Sequence, residues 1–188
     1  MLMGAAQRKD NRVGLREGML QVDLYLSLGS NMGDRAANIE NAVSLLNIEL
    51  KTPYKAISSL LETEPWGFES EQKFLNAAVH YKLQLKEGYN PEAEALMILE
   101  ICKDIERRLG RKEGVEYNEA GERVYHNRPI DIDILLFGDN RIDCRELTVP
   151  HKLMYEREFV MVPLREIATA LAEPRNDVVA LAEPRSDV

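Results

Sequence analysis

Apolar and polar residues alternate along this chain in blocks whose spacing predicts the secondary structure. An apolar residue at every second position is typical of a strand, and one at every third or fourth position is typical of a helix. Strands are predicted at 22–28, 54–62, 75–85 and within 128–138, and helices at 34–50, 90–109 and 162–171. The polar stretch 110–128 is predicted to be a long loop.

Residues at the helix ends support this assignment. Asp34 is a suitable N-cap for the first helix, Asn90-Pro91 combines an N-cap with proline at the first helical position, and Gly110 ends the second helix. The resulting order βαββαβ predicts an α+β, ferredoxin-like fold, with helices packed on an antiparallel sheet and a C-terminal extension. The opposite face of the sheet would be open or covered only by loops and the C-terminal segment, and we expect a ligand site there.

The composition is that of one folded domain. The chain has 188 residues, of which 45% are hydrophobic, enough to bury a core. We expect a disordered leader at 1–20, the domain at 21–175 and a disordered tail at 176–188. The sequence at 170–178 is nearly repeated at 180–188, and two copies are too few for a solenoid, so we expect the tail to be dispensable.

Charge and cysteine content narrow the class of function. A net charge of −8 argues against non-specific binding to nucleic acid or to an anionic membrane, and no apolar run is long enough to span a bilayer. Cys102 and Cys144 lack metal or redox spacing, which indicates free thiols in a reducing compartment. We therefore expect a cytoplasmic protein without a nucleic-acid or membrane partner. A monomer is a separate expectation.

The fourth strand carries the candidate chemistry. Asp131 and Asp133 lie in an apolar run, and in a strand both side chains point to one face, roughly 6–7 Å apart. Two carboxylates this close repel each other, and Mg²⁺ would neutralise them while sharing its coordination shell with substrate phosphates. Arg128 is suited to bind phosphate through two parallel hydrogen bonds. The alternative is a solvated strand face or a pair of turn formers, which the surrounding isoleucines and leucines disfavour.

Common nucleotide-binding motifs are absent from the sequence. It contains neither a Walker-type loop, nor Gly-x-Gly-x-x-Gly, nor the set of protein-kinase motifs. The turn Gly29-Ser30-Asn31 after the first strand would offer backbone donors to a phosphate, but a plain turn before a helix explains it equally well.

Four segments in a fixed order carry a family resemblance. They are 28–31, 74–79, 128–138 and 147–151, the last followed by 156–160. Together they resemble the 6-hydroxymethyl-7,8-dihydropterin pyrophosphokinases of folate biosynthesis, and the resemblance extends from about 22 to 168. It implies transfer of pyrophosphate from ATP, the co-substrate, to the hydroxymethyl group of the pterin, with release of AMP and the use of two Mg²⁺ ions.

The resemblance assigns the charged residues of the fourth strand to catalysis. Asp131 and Asp133 would bind both Mg²⁺ ions, and Arg128 would contact the ATP phosphates beside them. Phosphoryl transfer depends mainly on positioning and charge neutralisation, which agrees with paired carboxylates next to an arginine. Asp131 would also orient the hydroxyl that attacks the β-phosphorus.

The resemblance further implies a pterin site. The matching residues are Asn76, Phe74, Phe159, Thr63, Pro65 and Trp66. The amide of Asn76 has the donors and acceptors that the pterin edge requires, and Phe159 would stack on the ring. For both phenylalanines the alternative is ordinary core packing. Trp66 stands where the family often has a smaller aliphatic residue.

Contacts to ATP are implied for a third group of residues. These are Arg111, Arg128, Thr148, His151 and Arg157. For Arg111 the alternative is a solvated helix end favoured by the helix dipole, and for His151 it is a structural or surface role. Many members have Trp-Gly-Pro before the arginine of the fourth strand, where this chain has Tyr125-His126-Asn127 within a longer loop.

Two other classes of function share parts of this pattern. Nucleotidyltransferases also combine a Gly-Ser turn with an Asp-x-Asp strand, but there the two elements are close in sequence, whereas here they are about a hundred residues apart. A non-catalytic ferredoxin-like module that binds RNA would need basic and aromatic strand residues, which the acidic central strand disfavours.

Overall fold

The computed structural model describes residues 18–67, 70–112, 114, 116–117, 123–124 and 126–168. The strands are β1 (Met19–Ser30), β2 (Ala56–Ile57), β3 (Leu61–Thr63), β4 (Phe74–Lys86), β5 (Glu116–Tyr117), β6 (Arg123–Val124), β7 (Asp131–Phe137), β8 (Ile142–Asp143) and β9 (Thr148–Val149). The helices are α1 (Arg35–Glu49), α2 (Pro91–Arg108) and α3 (Glu158–Ile167), with a 3₁₀ turn at Met154–Glu156 before α3. Most of the predicted leader and the whole predicted tail lie outside the described residues.

The main sheet confirms the predicted fold class. Its strands run in the order β2-β4-β1-β7, β3 also pairs with β4, and every pairing is antiparallel. This order is the one expected of a βαββαβ ferredoxin-like unit. The predicted caps are also present, since Asp34 accepts a hydrogen bond from the Ala37 backbone and Asn90 accepts from Glu92 and Ala93.

The two faces of the sheet are covered by different elements. Leu24, Leu26 and Leu28 of β1 are fully buried in a large core beneath α1 and α2. On the opposite face, Leu135 of β7 packs with Val160 and other residues of α3 in a smaller core. Because α3 has only ten residues, it covers part of this face and leaves space beside it.

Three predicted elements differ from the structure. The single strand predicted at 54–62 is two strands, because the Ser58 hydroxyl accepts the hydrogen bond of the Ala78 N–H and shifts the register by one residue. The loop predicted at 110–128 contains the short pair β5–β6. The last helix begins at Glu158, four residues before its predicted start, and accommodates Pro163 inside it rather than in its first turn.

The structure also bears on the predictions about cysteines and membrane-spanning segments. Both Cys102 and Cys144 are free thiols, as predicted. Among the described residues, no helix combines the length and the apolar character needed to cross a membrane.

Candidate active site

A cavity of about 330 Å³ lies in the space that α3 leaves open and extends to Leu99, Lys103 and Glu106 of α2. This volume suits a small-molecule ligand. The cavity is lined by all the predicted site residues except Pro65 and Thr148, namely Asp131, Asp133, Arg128, Asn76, Phe74, Phe159, Thr63, Trp66, Arg111, His151 and Arg157. The fold therefore brings together residues that are nearly a hundred positions apart in the sequence.

The floor of the cavity is a row of residues that crosses three strands. Asn76 of β4 pairs with Gly29 of β1, and Gly29 pairs with Asp131 of β7. A Cβ at Gly29 would lie 3.4 Å from Asn76 Oδ1 and 3.7 Å from Phe74 Cδ1. The glycine thus keeps the floor open between the amide at one end and the carboxylate at the other.

Asp131 and Asp133 point into this cavity from one face of β7, as the strand alternation predicts. Arg111 Nη1 donates to Asp131 Oδ1, while Arg128 Nη1 lies 3.3 Å from Asp131 Oδ2. Burial and the neighbouring Asp131 charge hold the pKa of Asp133 above its usual range, and the charges of His151 and the nearby arginines oppose this rise. The site is therefore a set of closely spaced carboxylates and cations.

Glu106, in the last turn of α2, is a site residue that the sequence analysis missed. Its Oε1 accepts hydrogen bonds from Arg111 Nη1 at 2.6 Å and from the Ile132 backbone N–H at 2.7 Å. Desolvation and the charge of Asp131 raise the pKa of Glu106 to about 7. The available signal was a glutamate directly after Ile105, on the buried side of α2 and five residues before Arg111.

Asn31 is a second residue whose role the sequence did not specify. Its backbone N–H donates to the Arg128 carbonyl at 3.1 Å, and its Oδ1 accepts from the Arg128 N–H at 2.7 Å. Its Nδ2 donates to Asn127 Oδ1 at 2.7 Å. Asn31 therefore fixes the backbone of Arg128 at the edge of the cavity, a role that neither a plain turn nor a phosphate-binding turn predicts.

Asn76 is only 3% exposed and is held in one orientation by β3. Its Nδ2 donates to Thr63 Oγ1 at 2.9 Å and to the Leu61 carbonyl at 3.3 Å. These bonds use its two amide hydrogens, so the carbonyl oxygen Oδ1, which lies beside Gly29, is the group available to a ligand. Thr63 lines the cavity and also positions Asn76.

Three side chains meet at the opposite wall of the cavity. The guanidinium carbon of Arg157 lies 4.5 Å from the ring centroid of Trp66 and 5.8 Å from that of Phe159. The two rings are 6.5 Å apart at a tilt of 56°. Arg157 Nε is buried and, among the described residues, has no hydrogen-bond partner.

The remaining predicted residues lie at or beyond the rim. The ring atom Nδ1 of His151 accepts a hydrogen bond from the Leu153 backbone N–H at 3.3 Å. The backbone N–H of His151 donates to the Leu135 carbonyl at 3.0 Å. Thr148 lies in β9, where its hydroxyl donates to Asp143 Oδ1 at 3.4 Å. Thr148 is not part of the cavity wall, and Pro65 is not part of it either.

Comparison with known proteins identifies the family of this chain. The sequence model of the family described as 7,8-dihydro-6-hydroxymethylpterin-pyrophosphokinase (HPPK) matches residues 25–169. The chain is 42% identical over 146 residues to the 2-amino-4-hydroxy-6-hydroxymethyldihydropteridine pyrophosphokinase of Porphyromonas gingivalis, an alignment that covers 77% of this chain and 90% of that protein. It is 41% identical over 143 residues to the Bacillus subtilis protein of the same name, with 76% of each chain covered. The chain belongs to this family.

The HPPK fold is also found among solved structures. The crystal structure of wild-type Plasmodium falciparum HPPK-DHPS with pteroate matches with a TM-score of 0.52 and 16% identity, over 81% of this chain and 40% of that chain. At this level of identity the likeness concerns the fold alone, and it agrees with the α+β architecture. The family resemblance inferred from the four ordered segments is thus confirmed.

Proposed function

We propose that this HPPK-family chain transfers pyrophosphate from ATP to 6-hydroxymethyl-7,8-dihydropterin, giving AMP and the pterin pyrophosphate in folate synthesis. The observation that carries the proposal is the row Asn76–Gly29–Asp131 across the cavity floor. Its ends are two strand spacings apart, about 10 Å. A bicyclic pterin held at Asn76 would therefore direct its hydroxymethyl group toward the aspartates.

The aspartate end of the cavity suits two Mg²⁺ ions. Asp131 and Asp133 supply carboxylate oxygens on one face, and Mg²⁺ prefers oxygen ligands that it shares with water and phosphates. When bound, the ions would neutralise the charge of the ATP phosphates. We propose these two residues as the metal ligands.

The cations around the cavity suit the triphosphate of ATP. Arg111 and Arg128 now neutralise Asp131, and both would contact phosphate oxygens when that carboxylate has another partner. His151 and Arg157 line the same cavity and add to its positive charge. We propose Thr148 as a weaker nucleotide contact, since it lies outside the cavity wall.

In the proposed reaction the hydroxymethyl oxygen attacks the β-phosphorus of ATP in line. The bond from that phosphorus to the oxygen bridging the α- and β-phosphates breaks, and AMP leaves. Asp131 orients the hydroxyl and accepts its proton. Asn76 Oδ1 accepts hydrogen bonds from N–H groups on the pterin edge, while Phe159 and Phe74 offer ring faces to the bicycle. Thr63, Pro65 and Trp66 form the adjoining loop.

The experiment is an assay with ATP, Mg²⁺ and 6-hydroxymethyl-7,8-dihydropterin in which AMP and ADP are separated. We expect AMP to form only when the pterin is present, and Asp133→Asn to abolish it. Asp139→Asn is the matched control, because this exposed aspartate lies in the turn directly after β7 and outside the cavity. Formation of ADP, or unchanged turnover in Asp133→Asn, would contradict the proposal.

The proposed substrates are both small molecules, and the remaining proposals concern location, oligomeric state and partners. We propose that the protein is a cytoplasmic monomer that needs no nucleic-acid or membrane partner. Light scattering coupled to size-exclusion chromatography would report the oligomeric state directly, and a mass of twice 21.4 kDa would contradict the monomer.

A further inference from the structure

Trp66 is placed to act on the nucleotide side of the cavity as well as on the pterin side. Its ring lies 4.5 Å from the guanidinium carbon of Arg157, closer than the 5.8 Å between Arg157 and Phe159. Trp66 belongs to the loop after β3, while Phe159 belongs to the first turn of α3. Arg157 is therefore held between two aromatic rings from two separate elements.

This contact accounts for the orientation of an otherwise weakly tethered side chain. Arg157 is the N-cap residue of α3 but makes no side-chain capping bond, and its buried Nε has no hydrogen-bond partner among the described residues. An arginine with several rotatable bonds loses considerable entropy when it is fixed in one place. A guanidinium stacked on an indole face gains cation–π attraction, which offsets part of that loss.

The position in which Arg157 is held is the one that matters for the reaction. Arg157 lines the same cavity as Asp131 and Asp133, so its guanidinium lies at the proposed phosphate site. Trp66 itself is 43% exposed, so it contributes little to the hydrophobic core. Its contact with Arg157 is thus its most specific interaction with the rest of the site.

We infer that Trp66 is a positioning residue for Arg157, whose guanidinium it holds in the cavity that Asp133 also lines, where the phosphates of the nucleotide would bind. The inference rests on the proposed function and extends it, because it links a residue of the pterin loop to binding of the other substrate. A leucine at this position would line the pterin pocket equally well, but it has no π face for the guanidinium.

The test is nucleotide binding measured by calorimetry with Mg²⁺ and a non-hydrolysable ATP analogue, in the absence of pterin. We expect Trp66→Leu to weaken this binding about three- to tenfold and Trp66→Phe, which keeps an aromatic face, to weaken it less. In an Arg157→Ala background, Trp66→Leu should have little further effect. Equal behaviour of the leucine and phenylalanine variants, or the full loss repeated in the Arg157→Ala background, would overturn the inference.

A second measurement does not depend on how tightly the Arg157→Ala variant binds nucleotide. Trp66 is the one tryptophan of the chain, so tryptophan emission comes from Trp66 alone and responds to loss of its contact with Arg157. Arg157→Ala should change the emission of the ligand-free protein, and the nucleotide analogue should change the emission of the wild type but not of Arg157→Ala. Identical emission of the two ligand-free proteins would show that the contact is absent.

The two proposals fail in different ways. If the wild type neither binds the nucleotide analogue nor forms AMP, the proposed function itself is wrong. If the wild type forms AMP but the Trp66 and Arg157 substitutions act independently on nucleotide binding, only the positioning role is wrong. Equal melting temperatures of the Trp66 variants and the wild type would exclude a general loss of stability as the cause.

Discussion

The two faces of the main sheet are built from the same strands but have opposite characters. Toward α1 and α2, β1 presents Leu24, Leu26 and Leu28, and the space is filled with apolar side chains. On the other face, the neighbouring positions of β1 include Ser27 and Gly29, which line the cavity. One face therefore supplies most of the hydrophobic core, while the other, only partly covered by α3, holds the chemistry.

This difference shows how an acidic site can be built into β7, the strand at one edge of the main sheet. Among the leucines of β1 beneath α1 and α2 a carboxylate would have apolar neighbours, and burying an unpaired charge there would cost several kcal/mol. On the α3 side, Asp131 finds Arg111 and Arg128, and the cavity admits water and ligands. Alternation along β7 allows one strand to serve both faces.

The largest expected effects come from two adjacent residues of β7 that face opposite sides. Asp133→Asn should leave the free energy of unfolding nearly unchanged and lower turnover by about three orders of magnitude or more, since a proposed metal ligand is lost. Ile134→Ala should instead cost about 2–5 kcal/mol of unfolding free energy, because Ile134 is 2% exposed in the large core. Urea denaturation and the AMP assay measure the two quantities.

The contrast between the two faces holds only if Asp133→Asn affects mainly turnover and Ile134→Ala affects mainly stability. A folded Ile134→Ala protein, measured well below its melting temperature, should retain turnover within about threefold of the wild type because its side chain points away from the cavity. A large loss of turnover in this variant, or of stability in Asp133→Asn, would show that the faces are strongly coupled.

The sequence predicted the features that depend on local patterns, but not those that depend on contacts between distant segments. Alternation and helical periodicity are local signals, so the βαββαβ order, the α+β fold and the shared direction of Asp131 and Asp133 were all predicted correctly. The role of Glu106 was not, because it depends on Ile132 and Arg111, which reach it only after α2 packs on β7. Side-chain hydrogen bonds between distant segments leave no periodic pattern in the sequence.

The same limit applies to Asn31 and to strand breaks. Asn31 stands in a segment that the sequence analysis singled out, but its hydrogen bonds to Arg128 cross 97 positions of the chain. The break between β2 and β3 depends on one hydroxyl, that of Ser58, replacing a backbone partner of β4. Neither the amide's partners nor this shift in register has a signature in residue spacing.

Glu106 provides the next largest effect, because it is a carboxylate on the core side of the sheet. Its pKa in the folded protein is about 7, against 4.5 in the absence of the fold, so the folded state binds more protons between these values. The free energy of unfolding should therefore fall as pH rises from about 4.5 to 7 and level off above that. We expect this group to contribute about 3 kcal/mol to the fall.

Glu106→Gln should remove that contribution, as measured by urea denaturation of the ligand-free protein at pH 5 and pH 8. The control is Glu100→Gln, on the same helix, because Glu100 is exposed and pairs with Arg107 at the surface. If Glu106→Gln leaves the pH dependence of stability unchanged while Glu100→Gln reduces it, the burial of Glu106 is not the cause of the fall in stability with pH.

Substitutions at the Asn76 end of the cavity floor should have smaller effects than substitutions at the aspartate end. Asn76→Ala removes the acceptor Oδ1 proposed to meet the pterin edge, and we expect pterin binding to weaken about tenfold with nucleotide binding unchanged. Thr63→Val should act in the same direction but less, because Thr63 only orients Asn76. Calorimetry with each ligand separately distinguishes the two ends, and an equal loss for both ligands would contradict the assignment.

The smallest expected effect concerns Gly29, which lies between the two ends of the cavity floor. In Gly29→Ala the new methyl group would lie 3.4 Å from Asn76 Oδ1 and 3.7 Å from Phe74 Cδ1, which are ordinary contact distances. We therefore expect the free energy of unfolding to change by less than about 1 kcal/mol. Pterin binding should still weaken about threefold, because the methyl group occupies space that the ligand needs. A stable variant with unchanged pterin affinity would show that the pterin does not lie along the row from Asn76 to Asp131.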